Sequence, residues 1–274
     1  MKSEVIVVTG ASSGLGAATA SLLAEAGHRV YGASRGSGGS LEGRSFKPLF
    51  MDVTRDDSVA TAFASVLRAE ERIDALVCCA GSGIAGSVEE TSIEEARSQF
   101  ETNYFGTLRT IKALLPHFRK AGGGRIVVLS SIAGRLGLPF QAFYSSSKFA
   151  LEGLVEALRL EVGGMGIDVC LVEPGDHRTG FTKARRMVAA YLAAGEGSPY
   201  RGLHEGAIGQ QERDEAAGKD PLEVARLVAR LLGKKRTAVR YTVGPFIQRL
   251  APLLRPLFPQ RLFERIIGMI YHIS

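Results

Sequence analysis

The sequence predicts a doubly wound α/β fold, a parallel sheet of about seven strands with helices on both faces, in a single domain. Three observations predict it. Strand-length apolar runs alternate with stretches of helical periodicity along most of the chain. The runs are apolar at consecutive rather than alternate positions, which marks strands buried on both faces. The length, 274 residues, suits one large α/β unit. Hydrophobic residues make up 45% and charged residues 23% of the chain, ordinary proportions that exclude a disordered or fibrous class.

Val5–Val8 reads as the first strand, and Leu15–Ala26 as a helix stopped by Gly27, a residue suited to a left-handed C-terminal cap. Arg29–Ala33 is the second strand and Leu49–Met51 the third, followed by another helix. Ala75–Cys79, Ile126–Leu129 and Val169–Val172 supply the fourth to sixth strands, the last punctuated by Pro174-Gly175. Repeated βα units of this kind imply a parallel sheet. Gly36–Ser40 reads as a flexible linker. Residues 195–220, rich in Gly, Glu, Arg and Gln, read as a mobile loop. Pro221 then opens a helix with apolar positions at Leu222, Ala225, Val228 and Leu232, and Ala238–Val243 is the seventh strand.

The first strand runs into Thr9-Gly10-Ala11-Ser12-Ser13-Gly14-Leu15-Gly16 and the first helix. Glycines there let the backbone approach a pyrophosphate at a helix N-terminus, where free amides and the helix dipole favour anions. Gly10, Ser12, Ser13, Gly14, Leu15 and Gly16 are therefore candidate dinucleotide contacts on a Rossmann-like sheet. The second strand leads into Ala33-Ser34-Arg35. An NAD site wants a carboxylate there for the ribose hydroxyls, whereas a 2′-phosphate wants a cation. Ser34 stands in the carboxylate's place and Arg35 offers a planar fork, so NADP(H) is preferred and NAD(H) is the alternative.

Tyr144 and Lys148 are four residues apart and share one face of a helix that continues through Leu151, Leu154, Val155 and Leu158. Hydride transfer to a ketone leaves an alkoxide that must be protonated. A free tyrosine, with pKa ~10, is an adequate acid but a poor base. A neighbouring ammonium favours the phenolate, so Lys148 is expected to bring Tyr144 toward the range where it can both give and take a proton.

The TGxxxGxG turn followed by YxxxK resembles the short-chain dehydrogenase/reductase superfamily, and the resemblance covers about residues 5–181. It implies that Ser131, thirteen residues before the tyrosine, binds the substrate oxygen and that Lys148 also holds the nicotinamide ribose. Asn103, in an N-x-x-G pattern, would hold a water linking the lysine to solvent. Asp52-Val53 would touch the adenine. Pro174, Gly175 and Thr179, in PGxxxT, would hold the carboxamide. Ala80-Gly81 would let the cofactor approach, but Cys78-Cys79 replace the family's Asn-Asn, which puts bracing of the sheet near the adenosine in doubt. His177 reads as a polar loop residue beside the cofactor, since Tyr144 already serves as acid and base.

The segment around Leu138–Leu154 is similar to the branch of 17β-hydroxysteroid and retinol dehydrogenases, which implies an apolar ketone or aldehyde and its alcohol, steroid-, retinoid- or lipid-like. Phe140 and Phe143 would wall its pocket or pack the core. A 3-oxoacyl thioester reductase uses the same residues, and a non-catalytic dinucleotide-sensing protein could share the fold. Family resemblance also implies a homodimer or homotetramer through helices starting near Ser92 and Tyr144.

Residues 1–244 then form a dinucleotide-binding catalytic domain with a substrate loop over about 176–220, and 245–274 an amphipathic extension. Leu262, Phe263, Ile266, Ile267 and Ile270 make a helical stripe. The net charge is +6, and residues 238–274 hold five arginines against one glutamate. The extension is expected to cap the cleft, meet a second subunit, or lie peripherally on an anionic membrane. Nucleic-acid binding is not expected, because the charge is modest and no motif accompanies it. No metal site is expected. Cys78, Cys79 and Cys170 cannot all pair, the N-terminus lacks a signal-peptide pattern, and no ~18-residue apolar run occurs, so a cytoplasmic, reducing location is expected.

Overall fold

The computed structural model describes residues 3–36 and 43–273. Beyond Gly36, the linker read at Gly36–Ser40 lies outside them. Nine strands run in chain order as β1 Val5–Thr9, β2 Arg29–Ser34, β3 Lys47–Phe50, β4 Ala75–Cys78, β5 Ile84–Ala85, β6 Gly124–Leu129, β7 Ile167–Pro174, β8 Arg186–Met187 and β9 Arg240–Val243. Seven form one parallel sheet in the order β3-β2-β1-β4-β6-β7-β9, and β5 pairs with β8 beside it. The chain winds outward from β1 to β3 and returns to β4 beside β1, so the winding reverses between β1 and β4. Ligands of open α/β sheets bind outside the strand ends at such a reversal.

Each central strand sends alternate residues to opposite faces. Val5, Val7, Leu76, Ile126, Val128 and Leu171 meet the helices α2 (Asp56–Glu70), α4 (Gly106–Ala121) and α5 (Ala142–Val162). Ile6, Val8, Val77, Val127 and Val172 meet α1 (Gly14–Glu25) and α9 (Leu222–Leu232). Both faces are covered, which is why the strands read as unbroken apolar runs. Gly27, at φ +89°, follows α1 and its N–H returns to the Ala24 carbonyl, as a left-handed cap should.

The remaining helices are α3 (Ile93–Phe100), α6 (Phe181–Ala184), α7 (Ala189–Ala194), α8 (Arg201–Ala216), α10 (Phe246–Leu254) and α11 (Gln260–Ile270). Helix α8 corrects the loop expected over 195–220. Its buried face is His204, Ala207, Ile208 and Gln211, at helical spacing but with one strong apolar residue, so the stripe escapes a hydrophobicity pattern. A π-helical turn, Glu101–Phe105, joins α3 to α4. Among the described residues no helix is long and apolar enough to cross a membrane.

Candidate active site

The turn after β1 is shaped by its glycines. Gly10, at φ +69°, approaches Ala80 so closely that a Cβ there would sit 2.8 Å from the Ala80 backbone. At Gly14, φ +56°, a Cβ would lie 3.4 Å from Thr179 across the cleft. Glycine takes both left-handed bends without strain, and at Gly10 the missing side chain also makes room for the Ala80 backbone. Ser12, Ser13, Gly14 and Thr179 line a cleft of about 810 Å³, together with Arg44, Arg178 and Lys183. Leu15 and Gly16 lie in the first turn of α1.

The brace that Cys78-Cys79 put in doubt is supplied from β1. The buried Thr9 hydroxyl accepts hydrogen bonds from the amides of Cys79 and Ala80, both at 3.1 Å, tying β4 to β1 at the cleft floor. Burial pushes the Cys78 thiol up to about 12, so it stays neutral beside Thr110.

At the end of β2, Ser34 is buried and its hydroxyl has no partner among the described residues, while Arg35 beside it is exposed. An orphaned buried hydroxyl next to an exposed guanidinium, beside a glycine cradle open to phosphate, fits the ribose and phosphate of a dinucleotide. Asp52 is fixed by hydrogen bonds from the amide (3.0 Å) and hydroxyl (2.8 Å) of Thr54, and Val53 packs against Gly106.

The π turn directs Asn103 into full burial, where its amide joins two segments. Oδ1 accepts from the Ser82 amide at 2.9 Å, and Nδ2 donates to the Ser82 carbonyl and to Ser147 Oγ, each at 3.1 Å. Gln99 assists from α3, donating to the Ser82 carbonyl and accepting from the Ile84 amide. The loop after β4, bearing Gly81, is thereby fixed to α5 one residue from Lys148. Gln99 escaped sequence reading because its role depends only on contacts distant in sequence.

Ser131 caps the short 3-10 turn Ile132–Gly134: its Oγ accepts from the Ala133 amide at 3.1 Å and faces the Pro174 carbonyl at 3.5 Å. Tyr144 lies one turn before Lys148 on α5, whose Nζ donates to the Leu129 carbonyl at 2.9 Å and sits 5.8 Å from the tyrosine ring. Burial pushes the tyrosine up to about 12, against the lowering effect of its hydrogen bond with Ser131. Burial brings Lys148 down to about 8. The expected lowering of Tyr144 by Lys148 is not seen: loss of solvation outweighs the lowering by Ser131 and Arg185, and the tyrosine is held protonated.

Ser131, Tyr144, Lys148 and Asn103 thus converge at the C-terminal end of the sheet, with Pro174, Gly175 and Thr179 on the facing loop. Phe140, at φ +59°, meets His204 edge-on at 5.2 Å and Tyr200 at 6.4 Å, packing against the start of α8. Phe143 goes elsewhere, lining a separate depression of about 500 Å³ with Ile93, Phe100 and Phe105; this corrects its placement in the substrate pocket. His177 is buried, not solvated, with Nδ1 2.9 Å from the Gly175 carbonyl and Nε2 3.7 Å from Glu223.

Comparison with known proteins agrees with this arrangement. Residues 4–188 match the family described as short chain dehydrogenase. A 3-ketodihydrosphingosine reductase of Bacteroides thetaiotaomicron is 38% identical over 273 residues, covering all of both chains. The crystal structure of a short-chain dehydrogenase from Streptomyces avermitilis superposes with a TM-score of 0.82 at 32% identity, covering 97% of this chain and 98% of the other. A single-residue variant of actinorhodin polyketide ketoreductase, solved with NADPH, gives 0.73 at 30% identity over 88% of this chain and 95% of its own. The chain belongs to the short-chain dehydrogenase/reductase family, whose members are NAD(P)-dependent oxidoreductases acting on CH–OH groups.

Proposed function

We propose that this member of the family is an NADPH-linked reductase of long-chain apolar ketones, of the 3-ketodihydrosphingosine class. The observation that carries the reading is the placement of Ser131, Tyr144 and Lys148 together, with Lys148 Nζ 5.8 Å from the tyrosine ring and tied to the Leu129 carbonyl, and with Tyr144 pushed up to about 12. At neutral pH such a group is protonated, and an alkoxide is a strong enough base to take that proton, as reduction of a ketone requires. The full-length similarity to a 3-ketodihydrosphingosine reductase supports the substrate class.

Each residue then has a step. Ser131, its oxygen held by the Ala133 amide, donates to the substrate carbonyl and stabilises charge as it develops on that oxygen. Bound NADPH supplies the hydride. Tyr144 Oη delivers its proton to the alkoxide. Lys148, tied to the Leu129 carbonyl and lowered by burial to about 8, keeps a proton near neutrality and can return it to the tyrosine. Asn103 positions the lysine's helix through Ser147. Gly10, Ser12, Ser13, Gly14, Leu15 and Gly16 would cradle the phosphates, Asp52, Val53, Ala80 and Gly81 would flank the adenosine side, and Thr179 would hold the nicotinamide end. Ser34 in the carboxylate's place and the exposed Arg35 support NADP(H) over NAD(H).

The catalytic unit spans 1–244 and the extension 245–274. The apolar surface at Ile93, Phe105 and Phe149 on α3, the π turn and α5 supports a homodimer or homotetramer. Exposed Phe246, Ile247, Leu257 and Met269, beside Arg249, Arg261 and Arg265, support peripheral membrane contact. The test of function is NADPH oxidation with a panel of 3-ketodihydrosphingosine, steroid ketones, retinal and a 3-oxoacyl thioester. Turnover of the long-chain ketone above the others supports the reading; preference for the thioester would replace it.

A further inference from the structure

The loop that follows β7 carries Asp176 directly after Pro174-Gly175, and it is clamped from two sides. Its amide donates to Gln248 Oε1 at 2.8 Å, and its carbonyl accepts from the Lys219 amide at 2.9 Å. Gln248 Nε2 returns to Oδ2, which leaves Oδ1 free of any partner among the described residues. Opposite stands Glu215 on α8, holding Thr182 with one oxygen and Arg185 with the other. The Arg185 side chain is 0% exposed, yet only Nη2 is used; Nε and Nη1 have no partner among the described residues. Its guanidinium lies 5.8 Å from the Phe181 ring, whose centroid is 5.5 Å from that of Tyr144. Glu215 also lines the cleft shared with Ser12, Gly14 and Thr179, so the group lies between the glycine turn and the catalytic tyrosine.

The charges do not balance within this group. Three carboxylates, Asp176, Glu215 and Asp214, share this neighbourhood with the one guanidinium of Arg185, and Tyr271 of the C-terminal extension brings a phenol against them rather than a cation. A buried charge left uncompensated is strongly destabilising, and two unused guanidinium donors add to that cost. A monocation that also carries an acceptor oxygen would satisfy both deficits. An ammonium would complete the carboxylates, and a hydroxyl would accept from Arg185.

We infer that Asp176, Glu215 and Arg185 form a polar subsite beside the reacting carbonyl, which takes a protonated amine through the carboxylates and a neighbouring hydroxyl through the free N–H groups of Arg185. The inference rests on the ketone-reductase reading and sharpens it: the enzyme selects long-chain amino ketones from plain long-chain ketones. None of the three residues belongs to the reacting triad. They decide which ketone is held there.

The test is steady-state kinetics with NADPH on two ketones of equal chain length, 3-ketodihydrosphingosine and the same 3-ketone without its amino group. The expected result is a preference for the amino ketone of at least roughly tenfold in kcat/KM, expressed in KM, as expected for one charge-assisted contact. Asp176→Asn and Glu215→Gln, which keep shape while removing charge, are each expected to bring that preference down toward unity. Fluorescence titration with NADPH reports whether each variant keeps its folded cofactor site. If the native enzyme reduces both ketones equally, or if the variants keep its preference, the subsite is refuted while the reductase reading stands. If neither ketone is reduced, the reductase reading falls and the subsite falls with it.

Discussion

Replacing Lys148 by Met is predicted to make the protein more stable while abolishing its turnover. The lysine is buried among Cys78, Cys79 and Glu152, and burial lowers it from 10.5 to about 8. Because the folded value lies below the unfolded one, the unfolded chain binds the extra proton between about 8 and 10.5, and stability rises with pH across that window. Below about 8 the lysine is charged in both states and the whole deficit is present, about 3 kcal/mol at pH 7. Met fills a similar volume without charge. It gives up the hydrogen bond to the Leu129 carbonyl, worth about 1 kcal/mol, so the variant gains about 2 kcal/mol at pH 7. For a chain of this size that is a rise in Tm on the order of 4–8 °C. Urea unfolding of both proteins at pH 7 and pH 9.5 measures it. The gap should shrink by about 2 kcal/mol at the higher pH, where the native lysine is neutral in the fold. A variant less stable at pH 7, or a gap that does not change with pH, would refute the claim that burial sets the state of Lys148.

Three further outcomes follow from the site. Tyr144→Phe removes the proton donor and is expected to lower turnover about 10²- to 10⁴-fold with NADPH affinity retained, read by single-turnover oxidation and by fluorescence titration; loss of binding would contradict the role given to Tyr144. Oxidation of the product alcohol should accelerate as pH rises through about 8, where Lys148 gives up its proton and the pair can accept one from substrate; a flat profile from about pH 6 to 10 would contradict the relay. Arg35→Ala should raise KM for NADPH by roughly tenfold or more and leave that for NADH nearly unchanged, the loss expected of one charge-assisted contact to phosphate; equal effects on both would remove the argument for NADP(H).

Much of the architecture was legible because both faces of the sheet are covered. Strands such as Val5–Thr9 and Ala75–Cys78 are buried at every position and show as continuous apolar runs. The edge strand Lys47–Phe50 buries one residue of four, so its apolar signal was displaced toward Leu49–Met51. Helix α8 was illegible because its inward face is built from His204, Ala207, Ile208 and Gln211. The glycine turn and the Tyr144–Lys148 pair were legible because local spacing determines their geometry. The brace from Thr9, the clamp by Gln99 and the group of Asp176, Glu215 and Arg185 join segments far apart in sequence, and no local pattern announces them. The raised state of Tyr144 is hidden for a related reason, since the sequence shows the nearby lysine and not the loss of solvent around the ring.

Ser131, Tyr144 and Lys148 are proposed to carry hydride-coupled proton transfer to a ketone, and isotope transfer can follow that hydride. NADPH deuterated at the transferring position is incubated with the native protein and 3-ketodihydrosphingosine, and the product is analysed by mass spectrometry. One deuterium is expected on the former carbonyl carbon, and almost none with Tyr144→Phe over the same time. Tight binding of the dinucleotide with no deuterium in this ketone, or in any other of the panel, would contradict it and leave a dinucleotide-sensing protein in its place.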